Sequence, residues 1–381
     1  MQQLGIIVLV ICISSFSFAQ ENEKSKQSPK VGLVLSGGGA KGMAHIGALK
    51  VIEEAGVKID YIGGTSMGAI VGSLYAAGYS AAQLDSIFRN TNFTNLIDDN
   101  LPRNAKTFYE KDDSERYAVT LPFNNFKISV PPAYSGGQNV YNELVRLLYP
   151  VKDINDFDRL PIPFLCIATD IETGTEVMLD SGYLPEAVMA SGALPSLFEP
   201  AKIDGQILID GGVVNNYPID EVKKMGADII IGVDVQHGLR DREALLSATE
   251  ILLQINNYRT ALDMEKKSKR TDIYIKPDMK GYNVIDFNLY NTIIESGENA
   301  ARDKYADLKM LSSRQKTKET QIKMAKPQDS LTINRLVITG AENYSRGYVK
   351  GKLRFDIDKT TTFAKLQQGI SNLSATGNFQ T

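Results

Sequence analysis

The chain has 381 residues, with 42 Lys and Arg, 45 Asp and Glu, two His, two Cys and no Trp. The length predicts two or three domains, and 43% hydrophobic with 23% charged residues excludes wholesale disorder. A net charge of −3 lacks the basic excess of nucleic-acid binders, so no nucleic-acid partner is expected. Two cysteines exclude a disulfide framework, and no Cys and His group has zinc-ligand spacing, so no metal is expected.

The N-terminal segment is uncharged over residues 1–19, and residues 4–18 form an apolar run ending close to the small-x-small sequence SFA. This pattern predicts a secretory signal peptide over residues 1–19, although the usual basic segment is missing. A membrane anchor is the alternative, but the run is shorter than the roughly 20 apolar residues of a spanning helix. The polar residues 20–30 predict a tether.

The segment from residue 31 to 308 alternates apolar, β-rich runs with helix-like stretches. Parallel strands need crossover helices, so this alternation predicts an α/β domain with a mostly parallel sheet. The predicted strands cover residues 31–35, 164–168, 206–209, 228–235 and 272–275. The predicted helices cover residues 43–55, 67–77, 219–225, 243–267 and 292–307.

A glycine-rich loop, SGGGAKG at residues 36–42, directly follows the first predicted strand. Its G-x-G-x-x-G pattern also occurs in dinucleotide-binding loops, and Asp60 stands near the position of their ribose-binding acid. A dinucleotide-binding protein that uses residues 37–42 is therefore an alternative. The loop is physically a run of unobstructed glycine N–H groups at a helix start, which can hold any anion, including a transient oxyanion.

The segment GGTSMGA at residues 63–69 lies between a strand-like run and a helical pattern. This is the strand–turn–helix context of a nucleophile elbow, with Gly64 and Gly68 two residues on either side of Ser66. We expect these glycines to let strand and helix approach closely. The Ser66 Oγ would then stand at the positive end of the helix dipole. A flexible turn without chemistry is the alternative.

The segment LIDGG delivers Asp210 from an apolar strand onto the turn Gly211-Gly212. This arrangement offers a carboxylate at a strand end, with backbone clearance beside it. Asp-Gly is also a common turn dipeptide, so an ordinary turn is the alternative.

The two histidines limit the bases available to a serine nucleophile. His45 lies in the helical pattern after the glycine loop, and we expect it to be packed. His237 follows a predicted strand and is the one serious candidate for a Ser-His-Asp triad. Cys166 lies in an apolar strand and is expected to be an inert core thiol.

Further blocks accompany these three motifs, namely ATDIETG at 168–174, ASGALPSLFEP at 190–200, VVNNYP at 213–218 and GAD at 226–228. Together, in order over about residues 30–308, the blocks resemble bacterial patatin-like phospholipases. The resemblance implies a three-layer α/β/α patatin-like domain over residues 31–308. It also implies a Ser–Asp dyad that needs no histidine, with Ser66 as nucleophile and Asp210 as base.

The implied site has further members. The oxyanion hole would consist of the backbone N–H groups of Gly37, Gly38 and Gly39, with that of Met67 as a further candidate. The supporting motif positions are Lys41, Gly42, Gly64, Gly68, Gly211 and Gly212. Lys41 either meets a lipid phosphate or is a solvated loop charge. An aspartate base should lie in a poorly solvated place that raises its pKa above the usual value near 3.9.

The activity implied by the resemblance is that of a serine lipid acyl hydrolase, a phospholipase A or esterase acting through an acyl-enzyme. Its substrate would be a phospholipid or another acyl-ester lipid, its partner a membrane surface, and it would need no cofactor. A catalytically silent envelope module is a further alternative. No oligomeric state is indicated.

An irregular apolar segment offers candidates for a lid or substrate rim. These candidates are Phe93, Leu96, Ile97, Leu101, Phe108, Tyr109, Phe123, Phe126, Pro131 and Pro132. Long loops often carry function. Ordinary core under a long excursion is the preferred interpretation.

The C-terminal part begins with polar residues 309–329, which predict a linker. Residues 330–381 then resemble the start of a POTRA domain, which implies a partial α+β segment of a longer natural chain. With the predicted signal peptide, this implies an exported protein in the periplasm or outer membrane of a Gram-negative-type bacterium.

Overall fold

The computed structural model describes residues 28–102, 104–105, 123–124, 127–128, 133–239, 242, 248–315, 329–339, 343–376 and 379. The predicted signal peptide, most of the tether and most of the linker lie outside these residues. So do five of the lid or rim candidates, namely Phe108, Tyr109, Phe126, Pro131 and Pro132.

The strands of the described residues form one large sheet and two small ones. They are β1 (Val31–Leu35), β2 (Tyr61–Thr65), β3 (Phe123–Asn124), β4 (Lys127–Ile128), β5 (Phe164–Asp170), β6 (Glu176–Leu179), β7 (Ala201–Ile203), β8 (Gln206–Asp210), β9 (Ile229–Val233), β10 (Ile273–Ile275), β11 (Ser330–Thr332) and β12 (Thr360–Thr362). The large sheet has eight strands in the order β10-β9-β1-β2-β5-β8-β7, and β6 pairs with β5. Strands β10, β9, β1, β2 and β5 are parallel, whereas β6, β7 and β8 pair antiparallel with their neighbours. The predicted, mostly parallel central sheet is confirmed.

The helices of the described residues are α1 (Ala44–Glu54), α2 (Met67–Ala76), α3 (Ala81–Asn90), α4 (Phe93–Asp98), α5 (Gln138–Leu148), α6 (Leu184–Ser191), α7 (Ile219–Lys224), α8 (Ala248–Lys269), α9 (Tyr290–Arg302), α10 (Tyr305–Arg314), α11 (Arg346–Leu353) and α12 (Phe363–Ser374). The stretch predicted as one helix over residues 292–307 is in fact the pair α9 and α10. Within the α/β domain, helices α3, α4, α5 and α6 are additional to the predicted ones. None of the described helices has the length and apolar character that crossing a bilayer requires.

Both faces of the sheet are covered. Along β1, Leu33 and Leu35 pack into the larger hydrophobic core, while Val34 packs into a smaller one with Val222 of α7. Alternate side chains of a strand point to opposite faces, so the two cores lie on opposite sides of the sheet. The three-layer α/β/α architecture is therefore confirmed.

Helix α10 extends the ordered domain to Arg314, six residues into the segment predicted as a linker. The reason is burial, because Leu308 and Leu311 pack into the larger core. Beyond the linker, β11 and β12 pair antiparallel, with helix α11 between them in the chain and helix α12 directly after β12. This α+β content agrees with the expected class, while the POTRA-like resemblance stays a prediction.

Helices α1 and α9 touch along their backbones at two glycines. A Cβ on Gly47 would lie 2.1 Å from the Ile294 O, and one on Gly297 would lie 2.0 Å from the Ala44 O. Neither side of this contact can accept a methyl group unless the helices move apart. The contact holds α1, the helix that follows the glycine loop, against the domain.

Gly297→Ala should therefore lower the free energy of unfolding by about 1–3 kcal/mol, because overpacking outweighs the helix propensity gained from alanine. The matched control is Asn299→Ala on the exposed side of the same helix, which should stay within about 0.5 kcal/mol of the unsubstituted protein. Urea unfolding followed by circular dichroism measures both. Equal stability of the two variants would contradict the backbone contact.

Candidate active site

The turn between β2 and α2 holds Ser66 in a strained backbone conformation, with φ 54° and ψ −123°. A Cβ on Gly64 would lie 2.5 Å from the Gly68 O, and one on Gly68 would lie 2.3 Å from the Leu35 O. Glycine is thus required at both positions, and the close approach of strand and helix predicted from the motif is confirmed. Strain of this kind is typical of functional sites.

Asp210 meets Ser66 across strand β5, which separates β2 from β8 in the sheet. Thr65 pairs with Ile167 and Asp210 pairs with Ala168, so the two candidate residues lie at the same level of the sheet. The Ser66 Oγ donates a hydrogen bond of 2.6 Å to the Asp210 Oδ2. Strand register, rather than nearness in sequence, brings these side chains together.

The turn after Asp210 fixes the other oxygen of the carboxylate. The Gly212 N–H donates a hydrogen bond of 2.7 Å to the Asp210 Oδ1. A Cβ on Gly211 would lie 2.2 Å from the Ile167 O, so only glycine lets the chain turn this close to β5. One carboxylate oxygen is therefore held by the backbone, and the other faces the serine.

The Asp210 side chain lies in a nearly dry place, since the residue is 4% exposed. Burial raises the pKa of Asp210 to about 6, against the opposing effect of the hydrogen bonds from Ser66 and the Gly212 N–H. The expectation of a raised pKa is confirmed. A carboxylate with this pKa is largely ionised at neutral pH and still basic enough to take a proton.

The three glycines predicted for the oxyanion hole are not equivalent. The Gly37 N–H donates to Asn216, at 3.2 Å from its Oδ1 and 3.4 Å from its carbonyl oxygen, and is therefore already engaged. Gly38 and Gly39 line the cavity that contains Ser66. Among the described residues, neither of their N–H groups donates a hydrogen bond. The geometry thus favours Gly38 and Gly39 as donors to an anion.

Two further motif positions support this loop. A Cβ on Gly42 would lie 2.4 Å from the Met67 Cγ, so the loop packs directly on the residue after Ser66. Lys41 is 6% exposed and lines the cavity. The alternative of a solvated loop charge for Lys41 is therefore wrong, and its binding of a lipid phosphate stays a prediction.

The histidines lie apart from the dyad. His45 is fully buried, its Nε2 lies 2.8 Å from the Ser36 O, and burial lowers its pKa to about 4. His237 is exposed at the cavity rim, and the described part of the chain has no hydrogen bond between it and Ser66 or Asp210. Cys166 is buried, which raises the pKa of its thiol, as expected of an unreactive core residue.

The dinucleotide alternative fails on the position of Asp60. Its Oδ2 accepts a hydrogen bond of 3.0 Å from the Val31 N–H at the start of β1, and its Oδ1 pairs with Lys58 and Lys30. The glycine loop follows the other end of β1. Asp60 therefore lies at the amino-terminal end of β1, opposite the end that carries the loop, and cannot reach a ribose held there. Within the described ranges, no group of three His, Cys, Asp or Glu could hold a metal ion.

A cavity of about 520 Å³ opens at Ser66 and Asp210. Its walls away from the dyad are largely apolar and come from four helices and two loops, with the side chains of Ile70, Leu74, Ile87, Phe88, Phe93, Leu96, Ile97, Val140, Leu144, Leu147, Leu194, Leu197, Phe198, Val284 and Phe287. Three of the rim candidates, Phe93, Leu96 and Ile97, line the cavity, which supports the rim interpretation for them, and Phe93 also packs against the larger core. Leu101 does not line the cavity.

Other members of the site lie outside the predicted set. The Ser66 N–H donates a hydrogen bond of 3.0 Å to the Ser191 Oγ, which in turn donates to the Ile167 O at 2.5 Å. Asn216 and Gln236 both donate to the Gly37 O. The conspicuous segments ASGALPS and VVNNYP contain Ser191 and Asn216, and polar residues in apolar motif blocks are the signal that could have found them.

Comparison with known proteins shows which family the chain resembles in sequence. A family model described as patatin-like phospholipase matches residues 33–223, half of the chain. The lysophospholipase NTE1 of Scheffersomyces stipitis is 31% identical over 310 residues, which are 74% of this chain and 18% of that protein.

A mouse protein and a solved bacterial structure are also similar to this chain. The patatin-like phospholipase domain-containing protein 6 of Mus musculus is 34% identical over 209 residues, 54% of this chain and 13% of that protein. The chain spans about a fifth of the length of the curated relatives that it matches first. VipD from Legionella pneumophila superposes with a TM-score of 0.44 and 16% identity, over 74% of this chain and 67% of its own.

The raised pKa of Asp210 predicts a pH-dependent penalty on stability. The pKa of Asp210 is about 6 in the folded protein and 3.8 in the unfolded chain, so protonation of this carboxyl stabilises the folded state. That stabilisation is lost as pH rises through 6. Asp210→Asn has no such loss. Its free energy of unfolding, relative to the unsubstituted protein, should therefore rise by about 2 kcal/mol between pH 4 and pH 7.

Urea unfolding at the two pH values measures this difference. Asp204→Asn, on the exposed turn between β7 and β8, is the matched control and should show no such rise. A pH-independent difference for Asp210→Asn would mean that the carboxylate is not desolvated in the folded protein.

Proposed function

The chain belongs to the patatin-like phospholipase family, and from this premise we propose that it is a serine lipid acyl hydrolase, of phospholipase A or lysophospholipase type. The observation that carries the proposal is the 2.6 Å hydrogen bond from the Ser66 Oγ to the buried Asp210, in the wall of a largely apolar cavity. A nucleophile, a base and a lipid-compatible pocket meet there.

The acylation step follows from this geometry. Asp210 takes the Oγ proton as the Ser66 oxygen attacks the ester carbonyl carbon. The carbonyl oxygen becomes negatively charged and is stabilised by the N–H groups of Gly38 and Gly39, with the positive end of the α2 dipole close by. The C–O bond to the leaving group then breaks, and protonated Asp210 returns the proton to the departing alcohol. An ester now links Ser66 to the acyl group.

Deacylation repeats the chemistry with water. Asp210 takes a proton from a water molecule, whose oxygen attacks the acyl-enzyme carbonyl. The second tetrahedral intermediate uses the same backbone donors, collapses, and releases the fatty acid as the proton returns to the Ser66 Oγ. One carboxylate thus acts as base and acid in both steps, which requires a pKa near the working pH.

The substrate class follows from the cavity. Its largely apolar walls favour an apolar acyl group, and a volume of about 520 Å³ is within the range of small-molecule sites, about 300–1,000 Å³. A phospholipid or another acyl-ester lipid fits these requirements. The relatives named lysophospholipases support the same class.

We also propose a membrane surface as partner and an exported location. Ile251, Ile255, Tyr258 and Leu262 on α8 are exposed apolar side chains that recur every three or four residues, which supports contact with an apolar surface. The uncharged residues 1–19 support export. The POTRA-like tail supports a location in the periplasm or outer membrane of a bacterium.

Ser66→Ala and Asp210→Asn should each lower kcat by about 1,000-fold or more, because each removes one half of the proposed dyad. Release of fatty acid from phospholipid and lysophospholipid vesicles, and hydrolysis of p-nitrophenyl butyrate, measure the loss. Ser73→Ala on the same helix as the elbow and Asp204→Asn are matched controls that should keep wild-type turnover.

Wild-type turnover in both dyad variants would remove Ser66 and Asp210 from the mechanism. An unsubstituted protein that hydrolyses neither kind of substrate would instead favour the catalytically silent envelope module.

The base role of Asp210 also predicts a pH profile. The kcat/KM for p-nitrophenyl butyrate should rise about tenfold per pH unit below pH 6 and become level above it, because only the ionised carboxylate accepts the Ser66 proton. Initial rates between pH 4.5 and 8 measure the profile. An inflection near pH 4 would indicate a solvated base, and one that moves with His237→Gln would indicate histidine.

A further inference from the structure

The peptide between Gly37 and Gly38 is held by two side-chain amides. The Asn216 Nδ2 donates a hydrogen bond of 3.3 Å to the Gly37 O, and the Gln236 Nε2 donates to the same oxygen. Asn216 also accepts a hydrogen bond of 3.2 Å from the Gly37 N–H through its Oδ1. Only one orientation of the Asn216 amide satisfies both bonds, because its donor meets an acceptor and its acceptor meets a donor.

The carbonyl that these amides hold belongs to the same rigid unit as the Gly38 N–H. The Gly37–Gly38 bond is trans and planar, so its C=O and N–H point in opposite directions. Holding the Gly37 O between two amides therefore directs the Gly38 N–H away from them. Gly38 lines the cavity beside Ser66, and a Cβ on Gly37 would lie only 3.0 Å from the Ser66 Cβ.

The same contacts have an electronic effect. A carbonyl that accepts hydrogen bonds is polarised, and the N–H of that peptide becomes a stronger donor. Two amide donors on the Gly37 O would thus strengthen the Gly38 N–H toward a developing oxyanion. The Asn216 amide is nearly removed from bulk water, since Asn216 is 7% exposed, whereas Gln236 is half-buried.

Asn216 also connects two parts of the site that lie on different strands. Gly37 follows β1, whereas Asn216 follows β8 by six residues and belongs to the segment that carries Asp210. Strands β1 and β8 are separated by β2 and β5 in the sheet. A side chain that bonds both ends of the Gly37 residue therefore fixes the glycine loop relative to the base.

We infer that Asn216 and Gln236 are positioning residues that orient and polarise the Gly38 N–H for the oxyanion. The inference rests on the proposed hydrolase function and adds to it. Both side chains line the cavity, but among the described residues neither makes a hydrogen bond to Ser66 or Asp210. Their loss should therefore weaken transition-state stabilisation and leave substrate binding unchanged.

The test is steady-state hydrolysis of p-nitrophenyl butyrate by the full chain and by Asn216→Ala and Gln236→Ala. We expect kcat to fall by about 10- to 100-fold in each, less than the 10²- to 10³-fold typical of deleting an oxyanion donor. We expect KM to change by less than about twofold, and the acid limb of the pH profile to stay near pH 6. Asn299→Ala is the matched control, and its kcat should be unchanged.

Separate values of kcat and KM distinguish a positioning role from a loss of folded protein. Misfolding would lower the total activity toward every substrate but leave kcat and KM per active enzyme unchanged. Active enzyme is counted by fluorophosphonate labelling. If Asn216→Ala fails to fold, Gln236→Ala alone decides, because its side chain is less buried. Unchanged kcat in the folded variants, or a displaced pH profile, would overturn the inference. An inactive unsubstituted protein would overturn the proposed function itself.

Discussion

The site depends on one physical constraint, the burial of the Asp210 carboxylate away from water. A solvated aspartate with a pKa near 3.9 is a poor base toward a serine hydroxyl. Here the sheet, the Gly-Gly turn and the elbow enclose Asp210 so that its pKa rises to about 6, while Ser66 and the Gly212 N–H keep its two oxygens in place. The enclosure requires main-chain contacts that only glycine permits at Gly64, Gly68 and Gly211. The dyad and its glycines are therefore one physical unit.

The register of the sheet explains how two residues separated by 144 positions come together. Parallel strands β2 and β5 end at the same edge, and β8 approaches that edge from the opposite direction. Antiparallel pairing with β5 stops β8 at Asp210, level with Ser66. A sheet that was parallel throughout would have required another crossover helix before the base. The antiparallel strand delivers the carboxylate after only a short turn from β7.

The sequence supported the sheet and the dyad better than the remaining architecture. The motifs around Ser66 and Asp210 depend on close backbone contacts that only glycine permits. The spacing of glycines in the sequence therefore predicts where those contacts occur. Helices α3 and α5 left weaker signals, the capping box of Ser80 with Gln83 and the spacing of Val140, Leu144 and Leu147. The cavity could not be derived, because its walls come from elements spread across the chain. The bond between Gly37 and Asn216 spans 179 positions and has no local signature.

The cavity has two kinds of wall, and they differ in how many substitutions they tolerate. Around the dyad the wall is main chain packed on main chain, which tolerates almost no substitution. Farther out it consists of interchangeable apolar side chains such as Ile87, Leu96 and Leu144. In the proposed hydrolase, replacements on α3, α4 and α5 would therefore change selectivity for acyl length or shape without disturbing the dyad. A library confined to those helices would vary preference while holding the reaction constant.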